Sequence, residues 1–229
     1  IYIVPTGMDV ENFDVSKLKK SKIEELKNKN KLNNSFVVLY VGRLAEEKNI
    51  EFIINNQHTL LKKYPNLKLL IVGNGPDMEK YQKLCKKNKI LESTIFTGAI
   101  PRDEMPYYYA LGNVFVTAST TETQGLTVIE AMAASLPVVA INDESFTNTV
   151  VDGLNGYLFT KKSEYIKKVG NLIENKDIYD KMKIQAKITS NEHSLKYYAE
   201  KILDVYKSAI SKKRKKTILE KIFKRTKRD

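Results

Sequence analysis

Short apolar runs alternate with longer segments of helical periodicity along most of the chain. The runs FVVLYVG (36–42), LKLLIVG (67–73), TIFTG (94–98), NVFVTAS (113–119), PVVAI (137–141) and GYLF (156–159) are β-branched or aromatic and apolar on both faces. That is the pattern of strands covered by helices on both sides of a parallel sheet. Between and after them, helical stretches are predicted near 47–63, 77–89, 102–111, 125–135, 144–151, 162–187 and 194–210. Strands alternating with helices specify an α/β fold, a doubly wound parallel six-stranded sheet. In such sheets ligands bind beyond the carboxyl ends of the strands, where strand order reverses. The rule selects Gly42–Asn49, Gly73–Asp77, Gly98–Asp103 and Ser119–Gly125.

Two of these segments carry chemistry. In VGRLAEEKN (41–49), Arg43 follows a strand directly and Lys48 lies five positions later. Both cations can converge on one crevice mouth and suit a diphosphate, or they can pair with Glu46 and Glu47. The glycines of GNG at 73–75 lack the third glycine of a dinucleotide fingerprint and read as turn residues.

The stretch TTETQGLTVIEAMAASLP (120–137) places Glu122 in a loop before a helix starting near Leu126, and Glu130 one turn inside it. On a helical wheel Leu126, Val128, Ile129, Met132, Ala133 and Leu136 share an apolar arc. Glu130 falls at its edge beside Ala131 and Ala134, where low bulk is expected to leave the carboxylate open to a ligand. The amides of Gly125, Leu126 and Thr127 point into the same space, either for an outside anion or for Glu122 as a cap. Carboxylates that accept hydrogen bonds from paired hydroxyls, with amides and cations for phosphate, describe a nucleotide sugar.

Composition removes several function classes. Of 229 residues, 42% are hydrophobic, sufficient for a sizeable core. No run approaches the ~20 apolar residues of a membrane span, and the start lacks the pattern of a signal peptide. A single cysteine, Cys85, excludes an intramolecular disulfide and a cysteine metal cluster, and a cytoplasmic setting is expected. His58 and His193 have no second His or Cys at ligand spacing and read as surface residues.

The net charge of +12 is concentrated: residues 201–229 hold 12 Lys or Arg against 3 Asp or Glu. Within this tail Ile218, Leu219, Ile222 and Phe223 recur at helical spacing among basic residues. The tail taken alone fits a solvated terminus or a helix lying on an anionic membrane. Nucleic acid has the least support, for the run lacks interleaved aromatics and a recognised binding motif.

Taken in order, IVPTGMDVENF (3–13), VLYVGRLAEEKN (38–49), LLIVGNGPD (69–77), FTGAIPRDEMPYYYALGNVFVTAS (96–119), the EX7E pair Glu122 and Glu130, and PVVAINDESFTNTVVDGLNGYLF (137–159) are distinctive. The series resembles the donor-binding half of the retaining GT-B glycosyltransferases of family 4, over about residues 1–200. STTETQGLTVIEAMAASLP looks most like bacterial diacylglycerol glucosyltransferases. The resemblance implies a Rossmann-like donor domain over 1–200, followed by the basic amphipathic tail 201–229. It further implies an acceptor domain preceding this stretch, as the chain's own partner.

Carried over by position, the resemblance makes Arg43 and Lys48 diphosphate ligands and catalytic cations. Glu122 becomes a contact to the donor sugar with a catalytic role, and Glu130 the ribose contact. The amides of Gln124, Gly125 and Leu126 would hold sugar and phosphate oxygens, with Gly73 in the phosphate crevice and Ile100 near the base. The implied reaction is retaining transfer of a hexose, glucose foremost, from a UDP-sugar to a membrane lipid such as diacylglycerol.

No metal or other cofactor is expected, since the chain has no Asp-X-Asp triplet. Attachment to the inner face of the cell membrane is expected, and this stretch by itself is expected to bind donor weakly and to transfer little or no sugar. A glycosidase is disfavoured, because neither acid has an evident apolar pocket to raise its pKa. Other readings are the same chemistry on a polysaccharide, cell-wall or protein acceptor, a non-catalytic binding module, and a dehydrogenase, the last lacking the full fingerprint.

Overall fold

The computed structural model describes residues 4, 6–122 and 124–225, with side chains through Ser211. Six strands form one sheet: β1 (Phe36–Val41), β2 (Leu67–Val72), β3 (Thr94–Phe96), β4 (Val114–Thr117), β5 (Val138–Ile141) and β6 (Gly156–Phe159). Their order is β3-β2-β1-β4-β5-β6 and every pairing is parallel. Chain direction across the sheet therefore reverses between β1 and β4, the position at which such a sheet opens a crevice.

The expected strands are all present, trimmed at their ends. β1 is the central strand, with five of its six residues buried. Val38 stands opposite Leu69 of β2 on one side and Val114 of β4 on the other. An apolar residue at every position is required here because helices cover both faces.

Nine helices accompany the strands among the described residues: α1 (Lys20–Lys29), α2 (Ile50–Lys63), α3 (Met78–Lys87), α4 (Met105–Tyr109), α5 (Leu126–Ala133), α6 (Glu144–Thr147), α7 (Lys162–Glu174), α8 (Lys176–Asn191) and α9 (Leu195–Arg225). The stretch expected as one helix over 162–187 divides at Asn175, so α7 and α8 pack as a pair. α1 was not expected. Only Ile23 and Leu26 in it are buried, too few to produce a readable apolar face.

α2 fixes the loop after β1. Ile50, Ile53, Ile54 and Leu60 are completely buried, and Phe52 stacks on Phe159 of β6 with ring centres 5.2 Å apart. At the other end of the crevice wall, Lys187 of α8 donates to Ala133 O at 2.9 Å and pairs with Asp14 at 3.2 Å. A cation at the C-terminus of α5 suits the helix dipole and anchors that helix from behind.

Val10–Asn191 forms one compact unit, which contains the whole sheet; Ile1–Asp9 with Glu192–Asp229 form another. Within the second, Met8 N donates to His193 O at 2.8 Å and Leu195 N to Met8 O at 3.1 Å. α9 runs without a break through position 200, where a boundary between domain and tail was expected. The side chains of Ile218, Leu219, Ile222 and Phe223 lie outside the described residues. His193 departs from the surface reading: it is half-buried, its Nδ1 is buried with no hydrogen-bond partner among the described residues, and burial lowers its pKa. In α9, Leu203, Tyr206 and Ile210 are exposed at i, i+3 and i+7.

Candidate functional site

The crevice at the carboxyl ends is floored by loops that hydrogen-bond to one another. Gly42 N donates to Val72 O, Leu44 N to Asn74 O, Asp77 N to Leu44 O and Gly73 N to Gly98 O, each at 3.0 Å. Gly73 and Gly75 are glycines because the loop after β1 passes against them. A Cβ on Gly73 would lie 2.0 Å from Gly42 O, and one on Gly75 would lie 2.2 Å from Leu44 O. Loop packing by itself thus accounts for the GNG segment.

Arg43 stands on this loop, exposed, and its side chain forms no ion pair among the described residues. Its carbonyl accepts a hydrogen bond from Tyr40 Oη at 3.2 Å. Burial drives the pKa of that phenol far above its ordinary value, so Tyr40 serves as a neutral donor that holds the loop. Lys48 ends a 3-10 turn, Glu46–Lys48, and Asn49 then takes a left-handed conformation with φ 49° to start α2.

Lys48 does not pair with Glu46 or Glu47. Its Nζ lies 2.6 Å from Glu122 Oε1, with side-chain exposures of 20% and 25%. The contact crosses the reversal point, from the loop after β1 to the loop after β4, and joins residues 74 positions apart. Sheet topology alone makes them neighbours.

The start of α5 stays open. Gly125 occupies the N-cap position at φ 56°, ψ 39°, and among the described residues no side chain caps the helix. The amides of Leu126 and Thr127 have no hydrogen-bond partner among the described residues. Glu122 directs Oε1 to Lys48, so the capping alternative loses its acceptor. Leu126 departs from the expected arc: it is 41% exposed, while Val128, Ile129, Met132, Ala133 and Leu136 are buried as expected. An exposed residue at the first helical position leaves the amides accessible. Gln124 beside it is also exposed, and Ile100 is half-buried on the loop after β3.

Glu130 differs most from expectation. The small neighbours Ala131 and Ala134 do not leave it open; it is only 4% exposed. Oε2 accepts a hydrogen bond from Tyr109 Oη at 2.7 Å, and Oε1 pairs with Arg102 Nη1 at 3.0 Å. Tyr109 is fully buried, and burial together with the adjacent carboxylate raises its pKa well above the ordinary value. A neutral phenol is thereby held as a fixed donor. Arg102 is 77% exposed, with its guanidinium carbon 6.0 Å from the Phe13 ring centre.

Neither Tyr109 nor Arg102 was marked by the sequence reading. Tyr109 sits in the run YYY (107–109), where nothing local tells which ring turns inward, and Arg102 in PRDE shows only a turn. A separate cavity of about 720 Å³ opens beside Gly112, Asn113, Ser135 and Leu136, at the amino ends of β4 and β5 and away from these residues. Among the described residues no three His, Cys, Asp or Glu side chains are grouped to hold a metal ion.

A crevice at β1/β4 that offers cations, open amides and carboxylates has the inventory of a sugar-nucleotide site. Residues 22–189 match the family model described as glycosyl transferases group 1. The chain belongs to that family. Among curated relatives of this chain, the alpha-monoglucosyldiacylglycerol synthase of Acholeplasma laidlawii is 34% identical over 215 residues, covering 93% of this chain and 54% of the relative. The enzyme of the same name from Streptococcus pneumoniae is 32% identical over 158 residues, 69% of this chain and 36% of the relative. The chain thus spans about half the length, or less, of these relatives.

The fold recurs in Anabaena HepE, crystallised in complex with UDP and glucose. Its TM-score is 0.80 at 21% identity, covering 90% of this chain and 57% of that one. The Rossmann-like half of a GT-B fold, expected from the strand pattern and the resemblance, is therefore present in this chain.

Proposed function

We propose that this chain is the donor-binding half of a retaining, metal-independent glycosyltransferase that moves glucose from UDP-glucose to a membrane lipid such as diacylglycerol. The Lys48–Glu122 pair across the reversal point carries the reading. It sets a cation for the diphosphate against a carboxylate for sugar hydroxyls at the open start of α5. Arg43, Lys48 and the amides of Gln124, Gly125 and Leu126 take phosphate charge as the glycosidic bond to UDP breaks. They supply without a metal the electrostatic stabilisation that the leaving group requires.

Glu122 orients the hexose through its hydroxyls, and Glu130 accepts from the ribose. Similarity to two monoglucosyldiacylglycerol synthases supports the lipid acceptor. An acceptor domain of the whole protein is its proposed partner in transfer. The basic C-terminal segment supports placement on the inner membrane face, with apolar residues of α9 in the interface. No helix among the described residues is long and apolar enough to cross a membrane.

Calorimetric titration of the chain with UDP-glucose, UDP-galactose, GDP-mannose and NADH tests the donor. Binding of UDP-glucose is expected, weakened about 10- to 100-fold by Lys48→Ala, the size of a hydrogen bond to a charged group. Absence of UDP-sugar binding, or binding indifferent to Lys48→Ala and Glu130→Ala, contradicts the reading.

A further inference from the structure

The carboxylate assigned to the ribose is closed off by two partners that differ in kind. Tyr109 Oη, 2.7 Å from Oε2, belongs to a fully buried ring. That ring packs edge-on against Phe13 at 5.4 Å and lies 6.2 Å from Phe115. It cannot leave without opening the core. Arg102, 3.0 Å from Oε1, is 77% exposed and extends from the turn after the β3 loop. Among the described residues its guanidinium otherwise meets only the Phe13 ring face, at 6.0 Å. Glu130 thus has one permanent donor on its inner oxygen and one removable donor on its outer oxygen.

We propose that Arg102 is a displaceable counter-ion and a positioning residue for the donor. In the free chain it compensates the buried Glu130 carboxylate and fixes its rotamer, and on donor binding it gives Oε1 to the ribose hydroxyls. This rests on the assignment of Glu130 to the ribose given above. A buried carboxylate with a vacant oxygen is costly, so some partner is required before the ligand arrives. An arginine that is itself exposed suits that task, because water can take up its bonds as it leaves and the pair is exchanged more readily than one buried at both ends. A buried arginine in the same place would compete too strongly to be displaced. The Tyr109 bond persists through the exchange and keeps the carboxylate aimed outward.

Two consequences separate this role from that of a plain structural strut. Removal of Arg102 eliminates a competitor, so nucleotide affinity rises while the free chain loses stability. The gain also depends on ribose hydroxyls, since these replace the arginine. UDP and 2′-deoxy-UDP are titrated into the full chain and its Arg102→Ala, Arg102→Lys and Arg102→Ala/Glu130→Gln variants.

Arg102→Ala is expected to bind UDP about two- to five-fold tighter, the scale of a competing ion pair that is open to solvent at its arginine end. The gain should shrink for 2′-deoxy-UDP and vanish in the double variant, and Arg102→Lys should restore the original affinity. Unchanged or weaker UDP binding by Arg102→Ala, with UDP bound normally by the unaltered chain, overturns the displaceable role and leaves the donor site intact. Equal gains for both nucleotides overturn it too. Failure of the unaltered chain to bind UDP removes the ribose assignment and this inference together.

Discussion

Gly75→Ala is the most direct probe of how the crevice is built. The added Cβ would lie 2.2 Å from Leu44 O and 2.6 Å from both Leu44 C and N, all of them backbone atoms. An ordinary contact needs more than 3.4 Å, so the two loops must separate by roughly 1 Å, more than a packed interior absorbs without rearranging. Separation strains Leu44 N to Asn74 O and Asp77 N to Leu44 O, each a hydrogen bond with a net value of about 1 kcal/mol. It also draws Leu44, fully buried, away from the core, where a side chain of that size contributes up to ~3 kcal/mol. Loss of both bonds and part of the packing gives a destabilisation of about 2–4 kcal/mol. For a chain of this length the melting temperature should fall on the order of 10 °C.

Thermal and urea denaturation followed by circular dichroism measure this loss, with Gly98→Ala as control. Gly98 has a positive φ of 74° and nothing within 4 Å of an added Cβ. Its cost is backbone strain alone, about 1 kcal/mol. The displaced loop is the one that carries Arg43 and Lys48, so Gly75→Ala should weaken UDP-glucose as well. If Gly75→Ala and Gly98→Ala were equally stable, the close packing of the two loops would not be what requires glycine at position 75.

Two further outcomes are expected. Tyr109→Phe keeps the ring and deletes only the hydroxyl that donates to Glu130 at 2.7 Å, so it should cost about 1.5–3 kcal/mol in urea denaturation, the value of a hydrogen bond to a charged group. A loss below 0.5 kcal/mol on that same scale would show that the buried carboxylate does not depend on it. In flotation assays the chain should associate with anionic liposomes, less so as salt rises and poorly with neutral ones; equal recovery on both, or on neither, rules out the electrostatic membrane contact.

The strand pattern was legible because a sheet covered on both faces requires apolar residues at every position, and β1 and β2 satisfy this nearly throughout. The segments after each strand were likewise readable, since the crevice position depends only on the carboxyl ends of strands and the reversal of their order. Glu122, Lys48 and Arg43 could be selected as candidates from residue type and from their place after β4 and β1. Their arrangement could not. Lys48 had acids two and one positions before it, and which carboxylate it meets depends on β4 lying beside β1 rather than beside β3.

Glu130 shows the same boundary from the other side. A helical wheel places it at the edge of an apolar arc, but the wheel contains only one helix. Its burial, its Tyr109 donor and its Arg102 counter-ion come from α4 and the turn after β3, 21 and 28 residues away in the chain. The sequence by itself determined the fold class and which segments and charged candidates follow the strands, because periodicity and residue type are local properties. Only the tertiary structure decided which charges neutralise one another and which partner of a buried carboxylate is itself exposed, because pairing and exposure are properties of elements packed together.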